Sequence, residues 1–302
     1  MSAGFFMGAP RRAHSQQADV EDRLVQLQLG RHTLDLAQPQ VMGVLNRTPD
    51  SFSDGGVFAD FAVAVRRAHA MAGEGAAIID IGGESTRPGA EAVSVQQELD
   101  RVIPLIERLA GEMDTPVSID TGKPEVMREA VRAGAVMIND VYALRLPGAL
   151  TAALACRVPV CLMHMQGEPR GMQQNPRYAD VVTEVKDFLE ERTRVCEAAG
   201  IPRSQILVDP GFGFGKTLAH NLALLRRLQE LALPGQPLLV GLSRKSSIGT
   251  LLGGVPPMER LHGSVAAAVV AVLRGAHIIR AHDVKATVEA LKIAAAARLD
   301  GC

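Results

Sequence analysis

The sequence lacks an excess of charge of either sign. Its 32 Lys and Arg residues are balanced by 33 Asp and Glu residues, which gives a formal net charge of -1 at pH 7. A chain balanced in this way has no overall attraction to nucleic acid or to an acidic membrane surface. We therefore expect a small molecule as the partner.

Long apolar runs and paired cysteines are also missing. No apolar run approaches the roughly 20 residues of a membrane span, and the opening "MSAGFFMGAPRRAH" places its arginine pair after a short apolar stretch, the reverse of a signal peptide. We expect a cytoplasmic protein without disulfides, with a disordered leader at residues 1–20. The cysteines show neither Cys-x-x-Cys pairing nor metal-ligand spacing; they are Cys156, Cys161, Cys196 and Cys302.

Two phosphate-binding fingerprints are absent from the glycine-rich stretch "DPGFGFGKT" at residues 209–217. A Walker loop needs a glycine where Pro210 stands, and proline has no N–H to offer. The glycines are spaced G-x-G-x-G, which also differs from the dinucleotide fingerprint G-x-G-x-x-G. The glycines are instead expected to let the backbone turn sharply and approach a ligand just beyond Asp209.

What the sequence does contain is a regular alternation of strands and helices. The segments "RLVQLQL" and "HTLDL" alternate apolar and polar residues around Gly30, which predicts a β-hairpin that caps the main domain. Eight apolar runs follow, separated by segments of helical period. They are "VMGVLN", "AAIIDIGG", "PVSIDT", "VMINDV", "PVCLMHM", "ILVDPG", "PLLVGLS" and "HIIRAHD".

This pattern predicts an α/β protein with a parallel sheet covered on both faces. An open doubly wound sheet fits as well, but the count near eight and the missing dinucleotide fingerprint favour a (β/α)8 TIM barrel. We expect one domain at residues 21–300, with an N-terminal β-hairpin. Helices are predicted at 61–74, 123–132, 218–231 and 258–274, and long loops that follow strands at 47–60, 82–93 and 165–177.

Polar residues end most of the apolar runs. Helix capping explains any single Asp, Asn or Ser at such a place, but it does not explain Lys245, Arg280 and His282. A barrel would direct most of these side chains to one mouth. The residues are Asn46, Asp80, Asp120, Asn139, His164, Asp209, Ser243 with Lys245, and Arg280 with His282.

The chemistry of this set suits a heterocycle that carries a diphosphate. Hydrogen-bond acceptors, an amide and a cation match the alternating donors and acceptors of a flat ring, and these groups come from Asp120, Asn139, Asp209 and Lys245. Guanidinium and imidazole groups suit a pyrophosphate, and they come from Arg87, Arg280 and His282. Asn46 offers a neutral oxygen to Mg²⁺, which commonly shares its coordination with substrate phosphates.

These stretches together resemble the bacterial dihydropteroate synthases, a pterin-binding family, over nearly all of residues 41–291. The resemblance implies a TIM barrel, a homodimer, Mg²⁺ as the cofactor and a member of the family that sulfonamides target. It also implies the condensation of p-aminobenzoate with 6-hydroxymethyl-7,8-dihydropterin diphosphate, with release of pyrophosphate. The matching stretches are "VMGVLNRTPDSFSDGG", "DIGGESTRPGA", "VSIDT", "MINDV", "LMHMQG", "DPGFGFGK", "GLSRKSSIG" and "GAHIIRAHDV".

Carried over position by position, the resemblance implies three subsites. The pterin pocket comprises Asp120, Asn139, Met163, Asp209 and Lys245. The pyrophosphate site comprises Asn46, Arg87, Arg280 and His282, with Asn46 also at the metal. The p-aminobenzoate site comprises Phe52, Thr86, Pro88, Phe214, Lys245 and Ser246, with Asp54 near the attacking amine. The catalytic group is Asp120, Asp209, Lys245, Arg280, His282 and Asp54.

One residue departs from the family pattern, and two other functions stay open. Arg47 stands where the family usually has Val, and alternation along a strand allows its side chain to point away from the site. A methyltetrahydrofolate methyltransferase could share the heterocycle pocket but would have no use for Arg280 and His282 as a diphosphate site. An inactive regulatory barrel would be marked by lost loop motifs, whereas "DSFSDGG" and "ESTRPGA" are intact.

Overall fold

The computed structural model describes residues 26–47, 56–85 and 92–298. A short hairpin precedes eight strands that alternate with helices. The strands are β1 (Gln26–Leu29), β2 (His32–Asp35), β3 (Gln40–Asn46), β4 (Ile78–Gly82), β5 (Val117–Asp120), β6 (Met137–Asp140), β7 (Val160–Met163), β8 (Ile206–Asp209), β9 (Leu239–Val240) and β10 (Ile278–Ala281). The helices are α1 (Gly56–Gly73), α2 (Val95–Glu112), α3 (Pro124–Arg132), α4 (Ala149–Cys156), α5 (Val181–Ala199), α6 (Leu218–Arg226), α7 (Ser246–Leu251), α8 (Leu261–Leu273) and α9 (Val284–Arg298).

Strands β3 to β10 form one parallel sheet that closes on itself. Their order is β8, β7, β6, β5, β4, β3, β10 and β9, and each neighbouring pair is parallel. A further parallel bridge joins Val208 of β8 to Leu238, next to β9. The predicted eight-stranded barrel with surrounding helices is therefore confirmed.

Alternation along β4 shows how the sequence builds the barrel. All five residues of this strand are buried. Ile79 and Ile81 belong to the large apolar cluster that the helices share with the sheet, whereas Ile78 belongs to a smaller cluster inside the barrel. Because neighbours on a strand face opposite sides, Asp80 lies on the same inner side as Ile78.

The hairpin closes the end of the barrel where the strands begin. β1 and β2 pair antiparallel, and Gly30 at the turn has a left-handed φ of +57°, which glycine adopts without strain. Leu27 and Leu29 pack in the inner cluster with residues at the strand starts, such as Met42 and Leu207. The predicted hairpin and its capping role are both present, which leaves the carboxyl ends of the strands as the open mouth.

Several predicted element boundaries are wrong. α1 begins at Gly56, so the last five residues of the predicted loop 47–60 are helical. The predicted helix 218–231 is α6, which ends at Arg226, followed by a 3-10 turn at Leu228–Leu231. The predicted helix 258–274 is α8, which begins only at Leu261, after a 3-10 turn at Pro257–Glu259.

Among the described residues, the helices do not combine the length and the apolar character needed to cross a bilayer. The predicted leader at residues 1–20 lies outside the described residues.

Candidate active site at the carboxyl ends of the strands

Arg280 of β10 joins two carboxylates from neighbouring strands at the barrel mouth. Its Nε donates to Oδ2 of Asp80 at 2.6 Å, and its Nη2 donates to Oδ2 of Asp120 at 2.7 Å. The Asp80 side chain is fully buried, while the side chains of Asp120 and Arg280 are 11% and 21% exposed. One guanidinium thus connects β4, β5 and β10 at the place where a ligand would enter.

Asp80, which the sequence places at a strand end without assigning it to a subsite, lies at the centre of this network. Besides Arg280, its carboxylate accepts hydrogen bonds from Oγ of Ser118 at 2.6 Å and from Nδ2 of Asn139 at 3.1 Å. An ionised carboxylate can only accept, so it fixes the orientation of the Asn139 amide. The Oδ1 atom of Asn139 remains available to accept from an N–H of a ligand.

Burial and neighbouring charges shift the pKa values of this group. Burial raises the pKa of Asp120 to about 7, with Asp80 adding to the rise and Arg280 opposing it. Burial alone would lower the pKa of Arg280, but the carboxylates of Asp80 and Asp120 outweigh it and raise that pKa. Arg280 therefore stays a cation, while Asp120 lies near the balance between its acid and its anion at neutral pH.

Asp209 and Lys245 form the second half of the mouth. Oδ1 of Asp209 accepts from the backbone N–H of Gly211 at 2.7 Å. Burial raises the pKa of Asp209 against the effect of Lys245. Burial likewise lowers the pKa of Lys245 to about 8, against the effect of Asp209. Since Arg280 also acts on the pKa of Asp209, the carboxylate and the guanidinium share one end of the barrel.

An apolar wall lies beside these polar groups. Met163 at the end of β7 is buried and belongs to a small cluster with Phe214 at its edge. The Lys245 ammonium donates to the carbonyl oxygen of Phe212 and lies 4.6 Å from the centre of the Phe214 ring. Ser246, the first residue of α7, is exposed next to Lys245. A flat ring and an adjacent apolar group both find matching surfaces here.

The remaining predicted residues divide into those near the mouth and those outside the described residues. His282 follows β10, and its Nδ1 lies 3.1 Å from Oγ of Ser243. The Oδ1 atom of Asn46 lies 3.2 Å from the place that a β-carbon would take at Gly82, at the end of β4. Five predicted site residues lie outside the described residues: Phe52, Asp54, Thr86, Arg87 and Pro88.

Arg47 points away from the mouth. Its Nη1 donates to the carbonyl oxygen of Arg101 in α2 at 2.5 Å, and its guanidinium carbon lies 5.3 Å from the centre of the Phe61 ring in α1. Helices α1 and α2 lie on the outer side of the sheet. The departure from the family pattern therefore adds a contact between helices and leaves the described part of the site unchanged.

Helix capping does not account for the polar strand ends. The side chains that cap α2, α5 and α6 are those of Ser94, Asp180 and Thr217, which lie several residues beyond the strands. Lys245 stands at the start of α7 without a side-chain capping bond. Capping of the following helices is therefore not the role of these strand-end side chains.

The raised pKa of Asp120 predicts a pH-dependent difference between the wild type and Asp120→Asn. A carboxyl whose pKa rises on folding stabilises the fold in its protonated form, fully below about pH 4, and this stabilisation is lost as the pH rises through about 7. Relative to the variant, the wild type should lose on the order of 4 kcal/mol of unfolding free energy between pH 4 and pH 8. Urea unfolding of both proteins across that range measures it, and a difference independent of pH would contradict it.

Comparison with known proteins agrees with this geometry. The model of the family described as "Pterin binding enzyme" matches residues 42–282, which includes β4 to β10, all but the first two residues of β3, and the polar carboxyl ends of the strands. The chain belongs to this family of pterin-binding enzymes.

The similar proteins within the family share one activity. The dihydropteroate synthase of Escherichia coli (strain K12) is 56% identical over 261 residues, which cover 86% of this chain and 92% of the relative. A Yersinia pestis dihydropteroate synthase solved with a sulfonamide drug complex has a TM-score of 0.87 and 55% identity, covering 90% of this chain and 99% of that one. A Xanthomonas albilineans dihydropteroate synthase with 4-aminobenzoic acid has a TM-score of 0.87 and 53% identity, covering 92% and 99%.

Proposed function

We propose that this protein catalyses the dihydropteroate synthase reaction. It is a transferase that condenses 6-hydroxymethyl-7,8-dihydropterin diphosphate with p-aminobenzoate to give 7,8-dihydropteroate and pyrophosphate. The observation that carries the proposal is the network of Arg280, Asp80 and Asp120 beside Asp209 and Lys245. It places groups for a heterocycle and for an anion at one mouth, in a chain 56% identical to such an enzyme.

The pterin ring is proposed to bind between the carboxylates and the apolar wall. Asp120, Asp209 and the Oδ1 atom of Asn139 accept hydrogen bonds from ring N–H groups, and Met163 covers one face. Asn139 and Asp209 are buried and the Asp120 side chain is only 11% exposed, so a ligand that lacks the matching donors would leave these acceptors unpaired. Unpaired buried acceptors are costly, which makes the pocket selective for a donor-rich heterocycle.

The reaction is proposed to proceed by an SN1-like substitution. The bond between the pterin methylene carbon and the diphosphate oxygen breaks, and pyrophosphate leaves with the electron pair. Arg280, His282 and Arg87 stabilise the developing negative charge, while anionic Asp120 and Asp209 stabilise positive charge spread into the ring. The amine of p-aminobenzoate then forms the new bond to carbon and loses a proton, with positioning as its main requirement.

The p-aminobenzoate ring is proposed to lie against Phe214 and Lys245, with the carboxylate near Ser246. The Lys245 ammonium over the Phe214 ring gives this position both an apolar face and a cation. Phe52, Thr86, Pro88 and Asp54 complete the proposed site. Sulfonamides are proposed to compete at the same place, as the drug complex of the Yersinia pestis relative suggests.

Magnesium is proposed to bind through Asn46. The described residues contain no group of three or more His, Cys, Asp or Glu side chains that could hold a metal ion. A single neutral oxygen therefore fits an ion that takes its other ligands from diphosphate and water. When bound, Mg²⁺ would supply additional charge stabilisation for the leaving pyrophosphate.

A homodimer is also proposed, and α8 offers a surface that supports it. The outward side of this helix carries His262, Ala266, Val270 and Leu273, with Leu273 52% exposed. An apolar stripe without charges is typical of a protein interface. Light scattering of the purified protein at micromolar concentration tests the assembly.

A cytoplasmic location stays a prediction from the cysteine pattern.

The decisive experiment measures release of pyrophosphate. We expect release only when p-aminobenzoate and the pterin diphosphate are both present. A methyltetrahydrofolate methyltransferase would release none, and an inactive regulatory barrel would bind the pterin without turnover. Pyrophosphate release that does not depend on p-aminobenzoate would contradict the proposed function.

A further inference from the structure

Lys216, the lysine of the "DPGFGFGKT" stretch, is turned into the protein and does not face the mouth. The residue is only 3% exposed. Its Nζ lies 2.9 Å from Nδ1 of His164, 2.9 Å from the carbonyl oxygen of Gly211 and 3.0 Å from that of Phe214. Within the described ranges no carboxylate lies at salt-bridge distance from it. Lys216 is therefore buried among neutral acceptors. Burial of an ammonium without a carboxylate partner costs free energy.

The contacts of Lys216 join two strand-to-helix loops. Gly211 and Gly215 have left-handed φ angles of +68° and +62°. A β-carbon at Gly211 would collide with the carbonyl oxygen of His164, and one at Gly215 with that of Gln166. The loop after β8 is thus pressed onto the loop after β7, and Lys216 bonds to both at this close approach.

A second lysine holds the same loop from the side of the mouth. The carbonyl oxygens of Gly211 and Phe214 turn inward to Lys216, whereas that of Phe212 turns outward to the Lys245 ammonium. The Phe214 ring lies under that same ammonium. The position of the Phe214 ring and the partner of Lys245 both depend on how the loop is held from inside.

We propose that Lys216 is a positioning residue, which fixes the Phe214 ring and the Lys245 ammonium and thereby sets the affinity for p-aminobenzoate. This inference rests on the proposed function. Lys216 contacts no substrate and acts through the carbonyl groups of Gly211 and Phe214. The contacts persist in either protonation state of Lys216 and His164. A neutral amine can donate to both carbonyl groups while it accepts from Nδ1–H of His164.

The test is Lys216→Met, which keeps an unbranched side chain as far as Cε and removes Nζ with its donors. We expect the KM for p-aminobenzoate to rise about tenfold or more, since two buried carbonyl groups lose their partner. The KM for the pterin diphosphate should rise less than that for p-aminobenzoate. Asp120 and Asn139 belong to other strands, whereas Asp209 and Lys245 adjoin the same loop. An equal rise in both KM values would overturn the proposal.

Thr193→Val provides a matched control for loss of stability alone. Thr193 is fully buried and hydrogen bonds to Gln236, and Gln236 also contacts the carbonyl oxygen of Ile206, at the start of β8. This pair lies at the end of the barrel opposite to Asp209. The variant should unfold at lower temperature with both KM values unchanged, and the same KM pattern as in Lys216→Met would overturn the proposal.

Amide hydrogen exchange of the free protein separates this inference from the proposed function. The amide of Phe214 bonds to the carbonyl oxygen of Gly211, and that of Gly213 bonds to Oδ1 of Asn221. Both amides should exchange faster in Lys216→Met than in the wild type or in Thr193→Val. Unchanged exchange would overturn the positioning role, whereas a wild type without activity but with this exchange pattern would overturn only the proposed function.

Discussion

Asp209→Asn is expected to lower kcat/KM for the pterin diphosphate about a thousandfold, or roughly 4 kcal/mol of transition-state stabilisation. Oδ1 of Asp209 accepts from the N–H of Gly211, which leaves Oδ2 to accept from the ligand. In the variant the amide oxygen keeps the bond to Gly211, and the NH₂ group then faces the N–H donors of the pterin. Two donors in contact leave both without an acceptor, which is why such exchanges are severe.

The same substitution should leave the fold at least as stable as before. Burial raises the pKa of Asp209, so its anion is costly in the folded protein and a neutral amide removes that cost. Steady-state kinetics and urea unfolding at pH 8 measure the two effects. A large loss of stability together with the loss of activity would contradict this account, as would near-normal turnover.

Asp140→Asn is the matched control for Asp209→Asn. Asp140 is also a buried carboxyl at a strand end, but both of its oxygens accept from its own loop, at the backbone N–H groups of Tyr142 and Leu144. An amide there would place NH₂ against one of these donors. We therefore expect Asp140→Asn to be destabilised while its KM for the pterin diphosphate stays within about threefold of the wild type.

The barrel could be predicted from the sequence because its signal is local. Runs such as "AAIIDIGG" are too apolar for a sheet with a wet face, and their regular separation by helical segments leaves few architectures. The hairpin around Gly30 is equally predictable from the sequence, because apolar and polar residues alternate on both sides of a turn glycine. Helix ends are harder to predict from the sequence. At the end of α6 the helix changes to a 3-10 turn at Arg227, and no glycine or proline marks the change.

The sequence predicts which residue types form the candidate site but not which side chains bond to one another. The sequence places Asp120, Asp209 and Arg280 at strand ends, and the structure brings them to one mouth. The sequence does not reveal that Arg280 bonds to Asp80, which lies 200 residues away along the chain. Asp80 could have been found from alternation in β4, which places it on the inner side with Ile78.

The "DPGFGFGKT" stretch shows a different kind of gap between sequence and structure. Glycine spacing differs from both nucleotide-binding fingerprints, and the glycines do allow a close backbone approach. The approach, however, is to the carbonyl groups of His164 and Gln166, and Lys216 points inward to His164. The side of a loop on which a lysine lies depends on the φ angles of the loop. Glycine residues allow several values of φ, so the sequence does not fix that side.

Arg280→Ala is expected to remove activity by at least a thousandfold and to cost roughly 3 to 5 kcal/mol of stability. The loss of activity follows from the loss of a cation that stabilises the leaving pyrophosphate. The loss of stability follows because Asp80 and Asp120 remain close together without the guanidinium that each now binds. Arg203→Ala is the control: it breaks a two-bond contact with Glu197 at the partly exposed surface and should cost less than about 1 kcal/mol without affecting turnover.

Adding Asp80→Asn to Arg280→Ala separates the two roles of the arginine. The second change removes one of the two unpaired carboxylates, so part of the lost unfolding free energy should return. Activity should not return, because the Arg280 guanidinium proposed to stabilise the leaving pyrophosphate is still missing and the acceptor that orients Asn139 is weakened. If the double variant were as unstable as Arg280→Ala, carboxylate repulsion would not be the cause, and if it regained turnover, Arg280 would have no role in stabilising the leaving group.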